Sequence, residues 1–67
     1  MNKNELRAEI ARAGLTMTAV AKLMNIQPTT LSHKINGKVE FSRSEIQSLA
    51  NVLKLDDSAI MRIFFTD

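Results

Sequence analysis

Between Pro28 and Asn36 the chain gathers Thr29, Thr30, Ser32, His33 and Asn36, all short side chains that donate or accept hydrogen bonds. Side chains of this kind reach the polar edges of a partner without long flexible arms, so they suit recognition. Nothing else in the chain points to bond-breaking. His33 is the single histidine, cysteine is absent, and there is neither a glycine-rich phosphate loop nor a pair of acids on a shared apolar surface. No nucleophile and no acid/base pair can be assigned, so no enzyme and no small-molecule substrate are expected. Asp56 and Asp57 are adjacent, but at a helix start they read as caps that complement the helix dipole. Neither metal nor cofactor is expected, because no metal-ligand cluster is spelled out.

The elements that must position these residues follow from periodicity and punctuation, which divide the chain into five short helices with no repeat, linker or low-complexity tract. Asn2 and Glu5 have the spacing of a capping box, after which Leu6, Ile10 and Ala13 share a face until Gly14 stops the first helix. Thr16 can cap a second helix carrying Val20, Ala21 and Met24. Asn25 then suits the left-handed conformation that closes it, and Ile26 returns toward the core. Pro28 stands where proline is favoured, in the first turn of a third helix from Pro28 to Asn36, which Leu31 and Ile35 give a narrow apolar seam and Gly37 ends. Ser42 and Glu45 form a second capping box, with Phe41 and Ile46 placed to staple it. Ile46, Leu49, Ala50 and Leu53 then follow the spacing of a core-facing helix. Asp56 or Asp57 caps the last helix, where Ile60, Ile63 and Phe64 share a face while Met61 and Phe65 point about 100° away.

At 67 residues the chain supports one domain, residues 1–67, with a small core, because so short a domain buries only about 60% of its unfolded surface. Without disulfide or metal, helix packing or a partner subunit must stabilise it. The net charge is +2, unevenly spread: residues 1–43 hold seven Lys or Arg against three acids, residues 44–67 two against four. A basic first part permits a polyanionic partner. No apolar run is long enough for a membrane span, and the start, MNKNELRAEI, lacks the apolar stretch of a signal peptide, so a soluble, cytoplasmic protein is expected.

Two short helices joined by a tight turn, the second with a thin apolar seam and a polar outer face, make a shape that a DNA major groove accepts. At about 100° per residue from Leu31, Thr29, Asn36 and His33 fall at about 160°, 140° and 200°, opposite the seam. Residues Leu15 to Lys38, LTMTAVAKLMNIQPTTLSHKINGK, resemble the motif of the Cro and phage-repressor type of helix-turn-helix, also called the xenobiotic-response-element-like family. The continuation VEFSRSEIQSLANVLKLDDSAIMRIFF is similar to that family's fourth and fifth helices. The resemblance implies an all-α, lambda-repressor-like DNA-binding domain whose helix-turn-helix is formed by helices 2 and 3. It implies base reading by Thr29 and His33, with Thr30, Ser32 and Asn36 nearby, and a phosphate contact from Lys38; Lys34, Arg43, Gln27 and Thr18 are expected to meet phosphate beside it. Met17, Asn25 and Lys34 depart from the family's usual glutamine, turn glycine and apolar residue. Asn25 tolerates the left-handed turn, and Ile35 can replace the missing anchor.

Leu23, Met61 and Phe65 lie off the main apolar faces and are larger than a solvated position needs. Either a tiny core wraps them or they form a homodimer contact. A dimer would hold two third helices about 34 Å apart and imply a palindromic operator in double-stranded DNA. The resemblance thus implies a phage or prophage repressor, nucleoid-associated when bound. The alternative is a protein-interaction module of the same fold that binds a repressor or toxin, antirepressor or antitoxin-like.

Overall fold

Local signals start every helix. In a computed structural model that describes residues 1–65, the chain forms α1 (Lys3–Arg12), α2 (Met17–Met24), α3 (Pro28–Ile35), α4 (Arg43–Leu53) and α5 (Asp57–Phe64). The all-α expectation holds, with no strand among the described residues. Asn2, Thr16, Ser42 and Asp56 each accept a hydrogen bond from the backbone N–H three residues on, which satisfies a donor that has no intrahelical partner. At α4 the box is reciprocal, Glu45 accepting in turn from the Ser42 N–H at 2.8 Å. Helix α3 begins on Pro28 instead, with Gln27 extended before it and making no side-chain cap bond.

The first four helices stop by one common device. Gly14, Asn25, Gly37 and Lys54 all take a positive φ, between 55° and 83°. The next residue's N–H then reaches back over the turn: Leu15 to the Ile10 carbonyl, Ile26 to Ala21, Lys38 to His33 and Leu55 to Ala50, at 2.9 to 3.1 Å. Each bond occupies a carbonyl that the helix end would otherwise leave unpaired. Asn36, expected inside the third helix, is its C-cap. Ala13, expected on the apolar face of α1, is an exposed C-cap.

Leu6, Ile10, Val20, Ala21, Leu31, Ile35, Leu49, Leu53 and Ile63 form one core, to which every helix contributes. Each large side chain in it is worth about 1.5 to 3 kcal/mol of burial. Helix α2 lies against both α3 and α4, while α1 lies against α5, and the Asn2 N–H donates to the Ile63 carbonyl at 2.6 Å. Phe41 and Ile46 are half-buried as a staple would be, and the Phe41 ring also meets Phe64 edge to face at 5.7 Å. No polar or charged residue among those described is buried, so the core is dry and apolar.

Candidate nucleic-acid interface

Helix α3 is anchored from beneath by Leu31 at 0% and Ile35 at 1% exposure. That anchoring fixes what the other side presents. Thr29, Thr30, His33 and Asn36 are exposed, and Ser32 is half-buried on the flank. The structure thus leaves four of the five residues singled out as base readers open to solvent, with Ser32 at their edge. Two of them are linked: the Asn36 Nδ2 donates to the Ser32 Oγ at 3.4 Å. The Asn36 Oδ1 accepts from the Arg7 guanidinium of α1 at 3.1 Å.

The turn before α3 keeps the two motif helices close. Asn25 adopts φ 60° and ψ 43°, the left-handed geometry that asparagine tolerates better than most residues. A shallow concave shelf opens beside it, lined by Thr18, Lys22, Asn25, Ile26, Gln27, Pro28 and Thr30. Thr18 and Gln27, expected to touch phosphate, therefore share one surface with Thr30. Lys22 joins them, although the sequence reading assigned it no role. The available signal was its spacing, one turn beyond Thr18 on the same helix.

The expected phosphate cations do not stay together. Lys38 is exposed just beyond α3, with its ammonium in no ion pair or hydrogen bond among the described residues. Lys34 has another occupation. Its Nζ lies 3.0 Å from a Glu45 carboxylate oxygen and donates to the Glu40 carbonyl at 3.3 Å, with the side chain only 11% exposed. Facing α4 in this way, Lys34, expected to touch phosphate, ties α3 to the scaffold. The Ser42 N–H and the Lys34 ammonium together hold the Glu45 carboxyl below its usual range. Arg43 opens α4 and lines a groove with Gln47, Asp57, Ile60 and Phe65, away from the shelf.

Charge pairing separates the surfaces further. Arg12 pairs with Glu9 and Glu5, and Arg62 reaches Glu5 at 3.7 Å, so these two cations are locally neutralised. Lys22 and Lys38, which flank α3 in sequence, have no such acid among the described residues. Leu23, Met61 and Phe65 are 60%, 57% and 63% exposed, hence not wrapped by the core. Phe65 also lines a second groove with Met1, Val39, Phe41, Ile46 and Phe64. Neither Leu23 nor Met61 lines either groove, so the three do not form one patch with the geometry of a cleft.

Among the described residues no group of three or more His, Cys, Asp or Glu could hold a metal ion, and no helix is long and apolar enough to cross a membrane. The family model described as a helix-turn-helix domain matches residues 4–61. No curated protein and no solved structure matches the chain.

Proposed function

The chain belongs to the helix-turn-helix domain family, and on that footing we propose that it is a sequence-specific transcription regulator, a Cro-like repressor of phage or prophage type that reads double-stranded DNA. The single observation that carries this is α3, pinned by the fully buried Leu31 and Ile35 while Thr29, His33 and Asn36 stand exposed on its far side. Helix α3 enters the major groove. Thr29 and His33 read base edges, Thr30, Ser32 and Asn36 contribute beside them, and Thr18, Lys22, Gln27 and Lys38 meet phosphates. Each phosphate neutralised adds about −0.9 to the slope of log affinity against log salt.

The exposed Phe65 and Met61 support pairing of two copies across the α4 and α5 surface, with α3 helices about 34 Å apart on one face of the duplex. The whole chain, 1–67, acts as one such domain in the cytoplasm and on the nucleoid. The family is a non-enzymatic one, and no cofactor enters the reading.

Selection of bound duplexes from a random pool at near-physiological salt tests it. The expected result is an inverted repeat with half-sites about one helical turn apart. A pool that stays random overturns the reading and favours the second one, an antirepressor or antitoxin-like module. The same exposed Met61 and Phe65 are what favour that reading, as an apolar surface offered to another protein.

A further inference from the structure

Asn36 is exposed, and exposed asparagines ordinarily sample several rotamers. Here its amide is held at both ends, by Arg7 Nη2 on Oδ1 at 3.1 Å and by Ser32 Oγ accepting from Nδ2 at 3.4 Å. A guanidinium only donates, so the oxygen of the amide faces Arg7 and the nitrogen faces away from it. The contact joins residues 29 apart in sequence. Its base is firm: Leu6, the neighbour of Arg7, is 0% exposed and Ile10 is 4% exposed. With α1 and α3 both anchored by the core, a single hydrogen bond between two solvated side chains adds little to stability. What it does fix is which way the amide points.

We propose that Arg7 is a positioning residue that presets the Asn36 amide for base recognition at the C-terminal end of α3. This rests on α3 being the DNA-reading helix. With one lone pair of Oδ1 and one Nδ2 hydrogen engaged, the amide still has one acceptor site and one donor to offer. Together these are what an asparagine uses against an adenine edge. Without Arg7 the side chain is free to spread over three χ1 wells and two amide orientations, which dilutes the reading arrangement by up to about sixfold.

The test uses Arg7→Met, similar in length but without a donor, together with Asn36→Ala and the double variant. Each is titrated by fluorescence anisotropy against the selected operator and against duplexes changed at each base pair of one half-site. Asn36→Ala should erase preference at one base pair. Arg7→Met should weaken preference at that same pair by roughly three- to sixfold and leave the other positions as they were. In the Asn36→Ala background it should cost nothing further there. In the DNA-free protein, Arg7→Met should shift the Asn36 side-chain amide resonances.

A uniform loss across all duplexes, no loss at the Asn36 pair, or no position sensitive to Asn36→Ala overturns the role while leaving the regulator reading in place. A wild-type chain that enriches no sequence at all removes both.

Discussion

The outer face of α3 and the outer face of α5 are built by the same rule and end with different chemistry. Both helices are eight residues long and both are pinned by fully buried aliphatic residues, Leu31 and Ile35 in one, Ile63 in the other. Beyond the anchor α3 presents Thr29, His33 and Asn36, whereas α5 exposes the apolar Met61 among Asp57, Ser58 and Arg62, with the exposed Phe65 as its C-cap. A polar face can be desolvated only against partners that return its hydrogen bonds, and base edges do so. An apolar face gains from any dry contact, so it suits another protein surface. One small core thus carries two surfaces of different chemistry.

The harshest way to break this comparison is to remove what the two faces share. Leu31→Ala should cost about 2 to 5 kcal/mol, much of the stability of a domain this size, and circular-dichroism melts should show both surfaces lost together. A gentler change separates them. His33→Ala or Thr29→Ala should reduce discrimination at single operator positions by about 1 to 3 kcal/mol in competition binding. The melting curve should meanwhile move by less than about 0.5 kcal/mol equivalent. On the other side, Met61→Ser with Phe65→Ser should weaken binding to the palindrome by about tenfold, or about 1.4 kcal/mol. Sedimentation would then report a monomer and half-site preference would stay intact. Equal effects of the two sets of variants on base preference would dissolve the distinction.

Smaller effects probe the scaffold that keeps the faces apart. Lys54 holds φ 55° without being glycine, a conformation that costs an L-residue about 1 kcal/mol. Lys54→Gly relieves that strain but frees the unfolded chain, so a gain of up to about 0.5 kcal/mol in the melt is expected, without change in binding. Glu45 supplies the last test. Its carboxyl titrates below the ordinary value because the Ser42 N–H and the Lys34 ammonium favour the charged form. Its contribution is therefore present at neutral pH and fades as acidification takes the pH from the ordinary carboxylate range down through the lowered folded value. Denaturant melts of Glu45→Gln should lose stability at pH 7 and show a flatter acid limb than the parent chain.

The starts of the helices and the stops of the first three were legible in the sequence because each is settled within a few residues. Asn2, Thr16, Ser42 and Asp56 each need only the N–H three positions on, and Gly14, Asn25 and Gly37 are the residue types that accept a left-handed turn. The buried seam of α3 followed from spacing alone. Lys54 gave no such cue, since lysine has no preference for positive φ and its turn is imposed by the packing of Leu53 and Leu55 on either side. The pairing of Lys34 with Glu45 spans 11 residues and that of Arg7 with Asn36 spans 29. Periodicity within one helix says nothing of either. For the same reason the sequence grouped Arg43 with the third helix, although folding carries it to the groove beside Phe65.

The reach-back bonds that close α1 to α4 have a consequence in time. Each helix finds its end from residues only five apart, so little of the search for the native state waits on distant segments meeting. Closing a loop of about ten residues takes about 10 to 100 ns, and small helical domains with mostly local contacts fold in microseconds to milliseconds. A ribosome adds a residue only about every 50 to 200 ms. Once released, the chain should fold well within one such step, so synthesis rather than folding would set how soon a new molecule is ready.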